Sequence, residues 1–202
     1  MWRVTHIIAG PELPVIIKAD QETFCEEGVD QVLELNDILL TRSSLVELQE
    51  VESSAQLLIT LMRLDSNTEV TIADDGPAIM LRLNAGKLVA KSSDPPLRRR
   101  GHLSFDTRCI PQQEQVYLEA DGQNYNYALS SVSGNTDVYA HDPAGQYFLA
   151  GTVPEGLMAR FTTEPDLSDP ENFERILART TDSVLANINR LTDDSRWPTI
   201  PF

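Results

Sequence analysis

The sequence predicts a mainly β protein of the α+β class: an antiparallel β-sandwich or barrel with a C-terminal amphipathic helix and an extended tail. Three observations predict this class. Short stretches that alternate apolar and polar residues recur along the chain, and turn-forming residues separate them. Apolar residues at clear helical spacing are confined to about the last forty residues. Together these features indicate two antiparallel meanders followed by one helix.

The chain is predicted to divide near residue 161. Residues 1–161 form a β-rich body, in which 1–91 and 102–153 are two possible sub-sheets. A loop with two adjacent prolines separates the sub-sheets, because proline donates no hydrogen bond to a strand ladder. Residues 162–202 comprise a polar linker, the helix and a C-terminal arm.

The first series of strands follows from β-branched and alternating residues. Strands are expected over 4–8, 15–18, 57–64, 69–73, 79–83 and 88–91, with turns at 65–67, 74–77 and 84–87. Residues 26–52 are ambiguous. We expect strands up to Thr41 and then a short helix or strand that ends near Glu52, because Leu45, Leu48 and Val51 recur at a spacing of three.

The second series begins after the proline loop. Leu103, Phe105 and Thr107 alternate, and a hairpin is expected at Asp121-Gly122, one of the strongest short turn signals. Later strands are expected over 116–120, 124–129, 137–140 and 147–150. This spacing is typical of a sandwich or barrel.

The C-terminal helix is predicted as one element from Pro170 to Leu191. Ser168 is expected to cap it, with Glu171 completing a capping box three residues later. The tail from Arg196 contains two prolines and cannot be helical. It is predicted either to fold back on its own domain or to lie in a groove of a neighbouring chain.

The net charge and the lengths of the apolar runs argue against some classes of function. The net charge of −15 argues against direct nucleic-acid binding, which needs a basic face. No apolar run is long enough for a membrane-spanning helix, so no membrane contact is expected. The N-terminal apolar segment is too short for a signal peptide. We therefore expect synthesis in the cytoplasm, with incorporation into a virion as one later fate.

The chemical inventory predicts no metal, no cofactor and no catalytic residue. Cys25 and Cys109 are expected to be reduced thiols. On a regular strand, His102 shares a face with Asp106, whereas Cys109 lies on the opposite face, which argues against a local His–Cys pair. A catalytic role for the Cys109 thiol would require His6 or His141 to approach it in the folded protein. The acidic turns lack the spacing of a calcium loop.

Three features suggest contacts with other proteins. The proline loop carries three consecutive arginines in an otherwise acidic chain, two tyrosines share a predicted strand face, and the tail carries large apolar side chains. The candidate interaction residues are Arg98, Arg99, Arg100, Tyr125, Tyr127, Trp197, Ile200 and Phe202. A solvated loop and packing at the core edge are the competing interpretations of the first two features.

These features predict a non-enzymatic structural or interaction subunit of a larger protein assembly, such as a phage head or tail component. Its partners would be other protein chains, including copies of itself. One alternative is an acidic inhibitor or immunity-type protein that blocks a basic partner. Another is a β-barrel protein or enzyme with a small-ligand site in the barrel mouth.

Overall fold

The fold was determined as a computed structural model of the full chain. It describes residues 1–18, 21–25, 30–52, 57–74, 79–92, 103–104, 109–112, 115–122, 127–142, 144, 146–161, 167–193 and 197. The predicted class is confirmed, because the chain is mostly antiparallel β-structure with short helices near the C-terminus.

The strands in chain order are β1 (Trp2–Ala9), β2 (Val15–Lys18), β3 (Gln21–Phe24), β4 (Gln31–Leu33), β5 (Ile38–Leu40), β6 (Leu45–Glu52), β7 (Leu57–Leu64), β8 (Glu69–Asp74), β9 (Ile79–Ser92), β10 (Leu103–Ser104), β11 (Cys109–Gln112), β12 (Gln115–Ala120), β13 (Tyr127–Ser133), β14 (Thr136–His141), β15 (Tyr147–Val153), β16 (Leu157–Phe161) and β17 (Leu177–Arg179). The helices are α1 (Pro170–Arg175) and α2 (Asp182–Thr192). Neither of these two helices has the length and apolar character needed to span a membrane.

The strands form three sheet regions. The main sheet has the order β4-β1-β6-β7-β9-β12-β13-β16-β17. A second sheet has the order β3-β2-β5-β8-β9-β10, and a third has the order β11-β14-β15. Strand pairs are antiparallel except for β9 and β10. Some consecutive strands lie in different sheets, so that the turn at 65–67, for example, links β7 in the main sheet to β8 in the second.

Strand β9 belongs to two sheets, and this corrects the predicted turn at 84–87. Residues 79–85 pair with β8, whereas residues 86–92 pair with β12 and largely with β7. Gly86 lies at the crossing with a φ of +96°, and a Cβ there would lie 2.5 Å from Cα of Thr68. The Asn-Ala-Gly-Lys stretch therefore carries one strand across between sheets and makes no hairpin.

The hydrophobic core contains side chains from all three sheets. Alternate residues of the main sheet, including Met62, Leu88 and Leu118, join Leu39 of the second sheet and Val138 of the third in one cluster. Because side chains alternate along a strand, the other set of main-sheet residues faces outward. This outer face of the main sheet is where α2 lies.

The ambiguous region 26–52 contains strands, and the helical alternative for Leu45, Leu48 and Val51 is wrong. All three belong to β6, whose pairing with β7 contains a bulge between Glu50 and Val51. The extra residue lies in β7, because the register passes from Thr60 to Leu58. The consecutive residues Val46, Glu47 and Leu48 of β6 are all fully buried, so both faces of this strand are covered and burial at a spacing of three requires no helix.

The single helix predicted from Pro170 to Leu191 is also wrong. Helix α1 ends at Arg175, and β17 then pairs with the edge of β16 before α2 begins. Asp169 caps α1 in place of Ser168, since its side chain accepts a hydrogen bond from the backbone N–H of Glu171. A second cap, Thr181, accepts from the N–H of Val184 and starts α2.

The C-terminal segment shares its packing with the body. Phe173 of α1 is 2% exposed and packs directly over Gly151 of β15, where a Cβ would lie 2.2 Å from the ring. Strand β17 extends the main sheet, and α2 covers part of its outer face. The predicted boundary near residue 161 stays a prediction, since the linker 162–166 lies outside the described residues.

Candidate functional site

Helix α2 and Trp197 lie on the outer face of the main sheet, and we call them together the clasp. The clasp contributes Val184, Ile188, Leu191 and Trp197 to a second apolar cluster. The sheet side of that cluster consists of Leu61, Val89, Tyr117, Ala128 and Met158. These residues come from β7, β9, β12, β13 and β16, so the clasp spans the middle of the sheet.

A buried arginine lies beneath the clasp. Arg63 of β7 is 1% exposed, and its Nη1 donates to the carbonyl oxygen of Leu191 at 3.1 Å. Its Nη2 lies 3.4 Å from Oε2 of Glu47, which is itself fully buried. The carbonyl of Leu191 is one of the last four of α2, which have no partner within the helix. The guanidinium therefore satisfies a helix C-terminus and complements its partial negative charge.

Two further polar contacts fix the register of α2. Arg190 makes a two-pronged ion pair with Asp65, with Nη1 2.8 Å from Oδ1 and Nη2 on Oδ2. The hydrogen bonds to Asp65 raise the pKa of Arg190 further above its usual value. One turn earlier, Nδ2 of Asn187 donates to the hydroxyl of Tyr117 at 3.3 Å. Asp65 directly follows β7 and Tyr117 lies on β12, so the two contacts hold the helix at two separate points and define its position along the sheet.

The hydroxyl of Tyr117 donates to Oε2 of Glu119 at 2.9 Å. Burial, followed by the negative charge of Glu119, raises the pKa of Tyr117. The phenol therefore stays protonated throughout the neutral range. It acts in this contact as a donor to Glu119 and an acceptor from Asn187.

Trp197 lies within contact distance of two cations of the main sheet. Its ring centroid is 5.3 Å from the guanidinium carbon of Arg63 and 4.9 Å from Nζ of Lys91, and Nζ also donates to the Trp197 carbonyl oxygen. Burial, followed by the positive charge of Arg63, lowers the pKa of Lys91. The indole is 6% exposed. Such cation–π contacts contribute about 0.5–2 kcal/mol each, depending on desolvation.

The contacts in this cluster attach the C-terminal segment to the main sheet. The charged groups of the cluster bind one another or the backbone of the clasp, and the contacts of Arg63 with Leu191, Lys91 with Trp197 and Arg190 with Asp65 join the C-terminal segment to the body. Among the described residues, His, Cys, Asp and Glu side chains form no group of three that could hold a metal ion. The geometry therefore supports a structural role for the cluster: it fixes the point on the body from which the arm 198–202 continues.

The structure brings together few of the residues predicted for interaction. Trp197 is buried on its own sheet, which agrees with the alternative that the tail folds back. Its backbone is helical, so the prediction that the tail from Arg196 cannot be helical is wrong at this residue. Tyr127 is half-buried and packs against the edge of the main core. The remaining candidates lie outside the described residues: Arg98, Arg99, Arg100, Tyr125, Ile200 and Phe202. Their predicted contacts stay predictions.

The sequence did not lead us to Arg63, Glu47 or Lys91. One local signal was present, since Arg63 is the single charged residue of the mostly apolar strand Leu57–Leu64. A charged residue at such a position is buried only when it has a partner. Its partner on α2 is 128 residues away in sequence.

Cys25 is a free, buried thiol, and its burial raises its pKa to about 11. Because the thiolate is the reactive form, we expect a Cys109→Ser variant to react very slowly with a thiol reagent at pH 8 until it is unfolded. The folded thiol keeps its proton above its usual pKa of 9.0, so its contribution to stability is present at neutral pH and falls as the pH rises toward 11. Rapid labelling of the native variant would contradict this burial.

No protein-family model, curated protein or solved structure matches this chain. Any functional proposal therefore depends on the chain's own residues.

Proposed function

We propose that this chain is a non-enzymatic structural subunit of a larger protein assembly and that its C-terminal arm, residues 198–202, contacts a neighbouring chain. The observation that supports this proposal most directly is the attachment of Trp197 to the outer face of the main sheet. The clasp holds this residue against Arg63 and Lys91 on the rigid sheet, so the arm continues from a fixed point.

A fixed starting point favours binding by a short segment. A free peptide loses conformational freedom when it binds, and this loss lowers its affinity. Anchoring Trp197 removes part of that loss in advance, and the prolines at 198 and 201 restrict the arm further. Ile200 and Phe202 then supply the apolar groups that a neighbouring chain would bury.

Electrostatics supports assembly with acidic partners, including copies of the same chain. Arg98, Arg99 and Arg100 stand together in a protein of net charge −15, so in this proposal they contact a carboxylate-rich surface of a neighbour. A head or tail component of a phage virion is one example of such an assembly. The phage example is an analogy with a class of assembly proteins.

The test is the solution mass of the full chain and of a chain that ends at Trp197. We expect the full chain to form species heavier than 22.5 kDa and the shortened chain to be monomeric, because only the latter lacks the arm. At concentrations too low for assembly, the two chains should unfold at the same urea concentration, since the clasp is intact in both. A monomer in both samples would contradict the proposal, as would equal assembly by both.

A further inference from the structure

Strand β3 forms an open edge of the second sheet. Its four residues, Gln21–Phe24, are all exposed, and β2 pairs with it on one side. Among the described residues, no strand pairs with its other side. Such an edge presents free N–H and C=O groups that a further strand can bind. These four residues contain no proline, lysine or bulge, which are features that protect edge strands from pairing.

Two residues of β3 direct their backbone groups toward this open side. The N–H of Cys25 donates to the carbonyl oxygen of Pro14 at 2.9 Å, so the backbone groups of Cys25 point toward the β2 side. Because this direction alternates along an antiparallel strand, the groups of Thr23 also point toward β2, whereas those of Glu22 and Phe24 point away from it. The open edge therefore offers two donors and two acceptors.

One register lets two copies of β3 pair with each other and uses all four groups. In an antiparallel pair centred on Thr23, Glu22 of each copy lies opposite Phe24 of the other, and each of these pairs exchanges two hydrogen bonds. Thr23 then lies opposite itself, where a threonine pair is favourable. A pair centred on Glu22 would place two carboxylates opposite each other, and one centred on Phe24 would leave the backbone groups of Glu22 without a partner in β3.

The side chains agree with the same register. The guanidinium carbon of Arg42 lies 5.3 Å from the ring centroid of Phe24, and its Nη2 lies 3.6 Å from Oε2 of Glu22. Because Glu22 of a second copy would lie opposite Phe24, its carboxylate would also come close to this guanidinium. Arg42 thus offsets the negative charge that would otherwise repel a second acidic chain at this edge.

We propose that β3 pairs with β3 of a second copy across a two-fold axis at Thr23, an inference that rests on the proposed function. Four residues on each side make a small contact compared with the roughly 1,200 Å² that stable interfaces bury, so this contact does not hold two free chains together. It forms once the arm has joined two copies, because linked contacts act at a high effective concentration. Since the contact is the same on both chains, the assembly is built from two-fold pairs.

The two-fold axis allows a charge test, since position 23 faces its own copy. We expect Thr23→Lys and Thr23→Glu each to need a roughly tenfold higher concentration for half-maximal assembly, because like charges then lie opposite each other. An equimolar mixture of the two variants should assemble within about twofold of the wild-type concentration, because opposite charges then face each other. Light scattering over a concentration series measures these differences.

The matched controls are Gln21→Lys and Gln21→Glu. Gln21 is exposed and shares a strand face with Thr23, but the register places it opposite Cys25 of the second copy. Its two variants should therefore assemble like the wild type.

Assembly of Thr23→Lys at the wild-type concentration would overturn the inference and leave the proposed function in place. A mixture that assembles no better than its two components would also overturn it, as would equal defects in the Gln21 variants, because the effect would then not depend on the register. A wild-type chain that is monomeric at every concentration would instead contradict the proposed function. Far-ultraviolet circular dichroism checks that the substitutions leave the fold intact.

Discussion

Replacing Arg63 with methionine is expected to lower the free energy of unfolding by about 3–5 kcal/mol. The substitution removes the ion pair with Glu47 and the hydrogen bond to the Leu191 carbonyl together. Glu47 is fully buried, so its charge would lose the guanidinium and keep the hydroxyl of Thr5, which donates to Oε1 at 3.3 Å. The loss of one member of a buried pair is costly for this reason, even where the intact pair adds little.

Urea unfolding followed by circular dichroism measures this effect. The matched control is Arg179→Met on β17, because Arg179 is an exposed arginine in a strand and its replacement should change stability by less than about 0.5 kcal/mol. The double variant Glu47→Leu/Arg63→Met should recover much of the loss, since it removes both charges. A loss below about 1 kcal/mol in Arg63→Met would show that the pair does not hold the clasp as described.

Replacing Trp197 with alanine is expected to have a comparable effect on stability and a larger one on assembly. Removal of a buried tryptophan side chain typically costs about 3–5 kcal/mol, and here it also removes the aromatic ring that contacts Arg63 and Lys91. The arm would then begin from a loose segment. We therefore expect the variant to unfold at lower urea concentration and to lose assembled mass.

Trp197→Phe is the informative companion. Phenylalanine keeps an aromatic face toward the two cations, so this variant should lose less stability than the alanine variant and keep most of its assembled mass. Light scattering and urea unfolding on the same samples separate the two effects. Full assembly of the alanine variant would contradict the role of Trp197 as the anchor.

Much of the fold could be predicted because its signals are local. Strand β2 was predicted with the bounds that the structure has, and β7 follows the apolar stretch Leu57–Leu64. The turn at 65–67 follows from residues that favour turns, and the strands on either side of the predicted hairpin pair with each other, although β13 begins at Tyr127 and residues 123–126 lie outside the described part of the chain. Alternation and turn chemistry act within a few residues, so the sequence shows them directly.

The predictions were wrong where pairing with strands distant in sequence determines the local structure. Gly86 lies in a stretch typical of a turn, yet pairing with β8, β7 and β12 keeps β9 continuous. Residues 177–179 fit a helical spacing, yet they pair with the edge of β16 and form β17. In both cases tertiary contacts override a local preference.

The site was harder to predict than the fold for the same reason. Trp197 was recognised as a candidate, but its position depends on Arg63 and Lys91, which lie in the middle of strands.

The most direct test of the account is a photochemical cross-link from the arm. A photoreactive phenylalanine analogue would replace Phe202, and isotopically heavy and light samples would be mixed before illumination. The account predicts cross-linked peptides that join a heavy chain to a light one. Cross-links confined to a single chain, or no cross-link from position 202 to another chain, would contradict it.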